Sequence, residues 1–163
     1  MCRGAGRGLG GDDVPVLPHK QSLIYALNER YLEVLADKVE ATCRAQTRRP
    51  VGEMLAALIE TYWRAKTERA EVTRALYRSV VEMENEALVE AFARRVDTAT
   101  TAMLVSAPDR TFGDLQIANL TLVTVIFGTI RNAFERNLSQ AAIDALQVDL
   151  LAMCRVYAEL ARR

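Results

Sequence analysis

Apolar residues recur along this chain at steps of three and four, the spacing of one face of an α-helix, and no β-branched alternation is long enough to propose a sheet. The first such stretch, about His19 to Gln46, puts Leu23, Leu27, Tyr31, Val34, Leu35 and Val39 on one face, and Arg48, Arg49 and Pro50 end it. The second, about Val51 to Glu68, carries Met54, Leu55, Leu58, Ile59 and Tyr62 on its inner stripe with Trp63 beside them. The third, Glu71 to Ser106, reads as one helix or two, with Leu76, Val80, Leu88 and Phe92 marking its buried face. Pro18, Pro50 and Pro108 each precede a long proline-free run, and glycine is almost absent between Gly11 and Gly113. The pattern predicts an all-α fold.

The fourth stretch, about Phe112 to Asn137, is apolar nearly all round. Leu115, Leu122, Ile126 and Ile130 lie on one side, Leu120 and Phe127 round the other, and Thr121, Thr124 and Gly128 form a strip of small residues behind. Such a helix is buried on both sides, and the small strip permits another helix to approach closely. The last helix, about Ala141 to Ala161, has Ile143, Leu146, Leu150, Met153, Tyr157 and Leu160 as its stripe, with Val148, Leu151 and Val156 off it. This surplus either fills a monomeric core or joins two copies. We expect the second, a homodimer through a four-helix bundle of the last two helices.

Before Pro18 the pattern fails: MCRGAGRGLGGDDVPVL has glycines, scattered arginines and no period. Two segments are therefore expected, a disordered tail over 1–18 and a helical domain over 19–163. The length of 163 residues, half of them hydrophobic and 26% charged, suits one soluble globular domain. Lys+Arg and Asp+Glu balance at 21 each, which gives no support for a phosphate-neutralising face. Cys2, Cys43 and Cys154 form no CxxC pair, which points to a reducing, cytoplasmic home. The uncharged run Leu115 to Ile130 falls short of the ~20 apolar residues of a spanning helix and reads as a buried one, so no membrane partner is expected.

No catalytic or metal-ligating constellation emerges, and no enzyme, metal or cofactor is expected. The only histidine, His19, stands at a helix start, and the GRGLGG of residues 6–11 has no strand before it and no helix pattern after it. One polar residue in the third region falls on the apolar stripe: Glu84, in the middle of Val80, Val81, Leu88 and Phe92, with Arg95 recurring on the same face. A buried carboxylate needs a mate or water, so Glu84 is either a polar anchor in a pocket or half of an interhelical ion pair. Asn119 shares a face with Leu115, Leu122 and Ile126, and bonding to a neighbouring backbone is expected of it. Tyr62, Trp63, Met83, Phe92 and Met103 are either core or the lining of an apolar cavity.

The segment PHKQSLIYALNERYLEVLADKV, residues 18–39, resembles the first helix of the regulatory domain in TetR-type (tetracycline-repressor-like) transcriptional regulators. In that family a helix-turn-helix domain ends in a motif close to G-T-x-Y-x-Y-F-x-x-K-x-x-L, and Pro18, Lys20 and Leu23 match its tail. The resemblance covers residues 18–163 and implies an effector-binding and dimerisation domain. It implies a small hydrophobic or amphipathic effector held by Tyr62, Trp63, Met83, Glu84, Leu88, Phe92, Arg95, Asn119 and Val123. It also implies a dimer seam of Leu120, Thr121, Thr124, Phe127, Gly128, Val148, Leu151 and Val156. Repression is the commoner role in the family, and operator DNA is a partner only if an intact helix-turn-helix is restored. The alternative is a headless helical dimer that titrates partners. Codons for Asp12 to Leu17 can be written so that a reading one base later spells Thr-Met-Tyr-Gln-Tyr-Phe, and Gly6 to Gly11 can yield Ala-Gly-Val-Ser-Val-Gly. The expectation is that residues before Pro18 are an out-of-frame remnant of the DNA-binding domain.

Overall fold

The computed structural model describes residues 16–68, 70, 71, 73 and 86–161 of the chain, with side chains from His19 onward. Five α-helices and no strand are found among the described residues: α1 Val16–Ala45, α2 Val51–Thr67, α3 Glu86–Val105, α4 Leu115–Glu135 and α5 Gln140–Leu160. Pro18 lies inside the first turn of α1, where its missing N–H has no intrahelical acceptor to lose. Leu76, Val80 and Val81 of the third stretch lie outside the described residues.

Helix α2 is the post around which the others stand, in contact with α1, α3, α4 and α5. Its sequence explains why. Val51, Met54, Leu55, Leu58, Ile59, Tyr62, Trp63 and Lys66 are all buried, which is an arc too broad for one neighbour to cover. Leu35 and Val39 of α1, Val96 and Met103 of α3, and Leu122 and Ile126 of α4 close over that arc. Asn119 alone among the buried residues of α4 carries an amide, which donates to Asp97 Oδ1 on α3 at 3.5 Å rather than to backbone. By length and composition α4 also meets the requirements of a membrane span.

The helix ends are fixed by side chains. Pro50 supplies no capping oxygen at the start of α2. Asp109, in the loop after α3, supplies it instead, accepting from Val51 N at 3.0 Å. In the same loop Ser106 Oγ accepts from Arg48 N at 2.9 Å, where Arg48 takes the left-handed φ of 63° that turns α1 into α2. Asp114 and Ser139 cap α4 and α5 by accepting from Ile117 N and Ala142 N. The end of α4 is a Schellman turn: Asn137 adopts φ 52°, Asn137 N donates to Phe134 O, and Leu138 N donates to Ala133 O.

Two stripes differ from the expected faces. On α1, Leu35 and Val39 are buried and Tyr31 is half-buried, but Leu23, Leu27 and Val34 are exposed. The first turns of α3 share a groove with the stretch of α1 from Glu29 to Ala36, next to its buried residues. On α5 the buried line is Leu150, Cys154 and Ala158, leaving Met153 and Leu160 in water at 61% and 78% exposure. Small residues define that line because α5 presses closely on α2, with Arg155 Nη2 donating to Gly52 O at 3.4 Å. Weighting the pattern by bulk displaces the arc towards Met153 and Leu160.

Asp109→Ala removes the side-chain cap that α2 has among the described residues, and a loss of about 1 kcal/mol is expected in urea denaturation, typical of a deleted N-cap. An unchanged midpoint would show that the Val51 N–H finds water at no cost.

Candidate functional site

The burial of α2 carries a cation with it. Lys66 falls one turn after Tyr62 and two turns after Ile59 on the apolar stripe, and it is 2% exposed. Its Nζ lies 4.9 Å from the ring centroid of Tyr31 on α1 and 5.0 Å from that of Tyr62, within cation–π range of both. Tyr62 in turn stacks on Phe127 of α4 at 3.9 Å with an interplanar angle of 13°, and Phe92 of α3 meets Phe127 at 6.1 Å. Three helices thus meet α2 around one aromatic cluster with an ammonium at its edge. Burial pushes the Lys66 amine down to about 7, nearby Arg131 pushes the same way, and Glu135 opposes.

Tyr31 Oη and Thr73 Oγ1 are buried and lack a hydrogen-bond partner among the described residues, as does Asn28 Nδ2, one turn before Tyr31 on α1. Burial holds the Tyr31 phenol up at about 12; the neighbouring Thr73 hydroxyl opposes that rise without reaching good hydrogen-bond geometry. A buried donor or acceptor left unmade costs ~1–3 kcal/mol.

The residues expected from the sequence are distributed as follows. Tyr62 and Phe92 belong to the aromatic cluster, and Trp63 is buried in the core next to it. Leu88, Phe92 and Arg95 line a groove of about 180 Å³ between α1 and α3. Arg95 itself is held at the surface, its Nη2 donating to Asp37 Oδ1 and its Nε to Glu40 Oε1, each at 2.7 Å. The hydrogen bond from Arg95 keeps the Glu40 carboxyl below its ordinary range. Asn119 Oδ1 has no partner among the described residues, and Val123 is half-buried against the core. Met83 and Glu84 lie outside the described residues. On the outer side, Leu120 and Gly128 are exposed and open, whereas Phe127 turns inward onto Tyr62. A larger groove of about 440 Å³ runs between α1 and α3 past Cys43, Arg44, Arg94, Thr98, Ala99 and Met103. No three His, Cys, Asp or Glu side chains gather into a metal site among the described residues.

Lys66, Tyr31, Asn28 and Thr73 were not among the expected site residues. A signal existed: a charged residue on the apolar arc of α2, the same departure from pattern that drew attention to Glu84.

Lys66 makes stability depend on pH. In the unfolded chain the amine holds its proton up to its ordinary value of 10.5, and in the folded chain only to about 7. The unfolded state therefore binds more protons above pH 7, and stability rises with pH there, while below pH 7 both forms are charged and the slope vanishes. Cys43 and Cys154, whose thiols burial raises to about 11, act in the opposite sense from about pH 9. Urea denaturation of Lys66→Met and wild type at pH 7, 8 and 9 isolates the lysine. The variant should be the more stable at pH 7, with the gap narrowing by roughly 1 kcal/mol per pH unit; parallel curves would show that Lys66 stays charged.

Comparison with known proteins places this arrangement. The pattern of the tetracyclin repressor-like C-terminal domain family matches residues 50–157, more than half of the chain and all of α2 to α4. No curated protein and no solved structure matches the chain. The matched span includes the buried face of α2 with Lys66, all of α4 and α5 as far as Tyr157, and on it the chain belongs to the TetR family through its C-terminal regulatory domain.

Proposed function

We propose that this chain is the effector-binding, dimerising part of a TetR-type transcriptional repressor, cytoplasmic and regulatory rather than catalytic. The observation that carries the reading, beside the family match, is apolar surface left in water on the last two helices. Ile117, Leu120, Val148, Met153, Val156 and Leu160 are each more than half exposed. Ile117, Leu120, Thr124 and Gly128 share one side of α4, and a Cβ added at Gly128 would meet nothing within 4 Å. That side is flat enough for a second helix to lie close, as a four-helix seam between two copies requires.

The effector acts through α1. From Tyr31 onward that helix is held: Arg95 bonds it to α3, Thr42 Oγ1 meets Thr61 Oγ1 of α2 at 2.8 Å, and Lys38 pairs with Glu68. Before Asn28 it exposes Leu23 and Leu27. A ligand lodged at the Tyr31–Lys66–Tyr62 cluster therefore sits between the part of the helix held by these bonds and its N-terminal part. Tilting the latter changes the separation of DNA-binding heads that must fit half-sites ~34–36 Å apart, with a coupling of ~1–3 kcal/mol.

Sedimentation at micromolar concentration should give a particle of twice the 18.1 kDa chain mass. Leu120→Glu combined with Val156→Glu should return it to the single-chain mass without loss of helicity; a wild-type monomer would remove the basis of the reading. For residues 6–17 the reading is a one-base-shifted remnant of the DNA-binding domain. The coding DNA should spell Thr-Met-Tyr-Gln-Tyr-Phe in the next frame across codons 12–18, and a base sequence that cannot do so ends that part of the proposal.

A further inference from the structure

The outward face of α5 carries one residue unlike its neighbours. Ala142, Ala145, Asp149, Ala152 and Val156 follow one another at steps of three and four, and all five are exposed. That is the spacing of a seam between helices, and the exposed side chains of Val148, Met153 and Leu160 flank it. Asp149 is the one charge on the line. The other acids of the last two helices are engaged, Glu135 accepting from Arg131, Asp144 from Gln140 and Glu159 from Arg110. Asp149 has no hydrogen bond or ion pair among the described residues. Water solvates such a carboxylate, but closed into a seam it loses that hydration and needs donors.

The outer side of α4 has them. Thr47, Thr67, Thr98 and Thr100 each donate the hydroxyl proton to the carbonyl four residues earlier. Thr121 and Thr124 do not, and neither hydroxyl has a partner among the described residues. They stand on the side of α4 that exposes Leu120 and Gly128. One outward face thus holds an acceptor without donors, and the other holds donors without an acceptor. The guanidinium groups of the same two helices are turned elsewhere, Arg131 to Glu135 and Arg155 to Gly52 O.

We infer that Asp149 sets the register between two copies of this chain, its carboxylate accepting from the hydroxyls of Thr121 and Thr124 of the partner subunit. The inference rests on the dimer reading above and goes beyond it, because apolar surface alone lets two helices slide. A slip of one turn keeps alanine and valine against apolar surface. It carries the carboxylate off both hydroxyls, onto Ile117 on one side or Gly128 on the other. Hydroxyl-to-carboxylate bonds are charge-assisted and strong, and two-fold symmetry makes the contact twice. A single polar position in an apolar seam fixes alignment and oligomer size at some cost in stability.

The test is sedimentation of the full chain across a dilution series, with circular dichroism to check helicity. Wild type is compared with Asp149→Leu, with Thr121→Val plus Thr124→Val, and with all three substitutions together. Loss of both hydroxyls should weaken the dimer by about tenfold or more, since the carboxylate is then enclosed without a donor. Adding Asp149→Leu to that pair should recover most of the loss. Asp149→Leu in the otherwise unchanged chain should associate at least as tightly as wild type, but as a mixture of dimer and larger species. Asp149→Ala repeats the comparison should Asp149→Leu prove insoluble. Effects of the aspartate and threonine substitutions that simply add would overturn the assignment and leave the dimer reading standing. A single discrete dimer from Asp149→Leu would also overturn it, since register would then be set elsewhere. A wild-type chain that stays monomeric would defeat the dimer reading and this inference together.

Discussion

Helix α2 has more apolar surface than any one neighbour can hide, and the need to cover it organises the molecule. Four helices meet it, and each presents a line of residues that would otherwise be in water: Leu35 and Val39, Val96 and Met103, Leu122 and Ile126, Leu150 and Cys154. Burying a large aliphatic side chain contributes ~1.5–3 kcal/mol, so the α2 stripe outweighs every surface ion pair in the chain. The same force sets the chemistry. Because the arc that contains Ile59, Tyr62 and Trp63 also contains Lys66, closing the core over α2 draws an amine into the interior. The faces of Tyr31 and Tyr62 lie within cation–π range of it there.

Electrostatics plays a narrower part, joining elements rather than holding up the core. Arg95 is 38% exposed as a side chain, and its bonds to Asp37 and Glu40 therefore work in high dielectric. Their value is geometric, since they fix how α3 lies along α1. Asp109 and Ser106 do something similar at the other end, tying the loop after α3 to the turn between α1 and α2. Arg110, paired with Glu159, and Gly113 N, donating to Ala161 O at 3.0 Å, fasten the same loop to the end of α5. One short loop thus touches the ends of three helices.

Much of this architecture is readable from the residues alone. Proline and glycine punctuation with a period near 3.6 located four of the five described helices to within a few residues, because helix ends are set by local chemistry: Asp114 and Ser139 as caps, Asn137 as a left-handed stop, Pro50 as a boundary; for α3 it gave the end but not the start at Glu86, inside a stretch read from Glu71 onward. The side each helix buries was less legible. On α5 the small residues Cys154 and Ala158 face inward while Met153 and Leu160 face out, so that ranking positions by hydrophobic bulk points the wrong way. Phe127, assigned by its wheel position to the outer side of α4, stacks on Tyr62 because an aromatic ring can swing across the arc that a small residue cannot.

The sequence by itself determined the helices, the absence of sheet pattern, the apolar excess on the last two helices and the family. All of these follow from spacing along one chain, and spacing is a local property. Only the tertiary structure decided that Lys66 lies between Tyr31 and Tyr62, that Arg95 is engaged by α1, and that Asn28 and Thr73 are buried. Those facts depend on how far and at what angle separate helices approach, which is fixed by the packing of all of them at once and is written in no single stretch of residues.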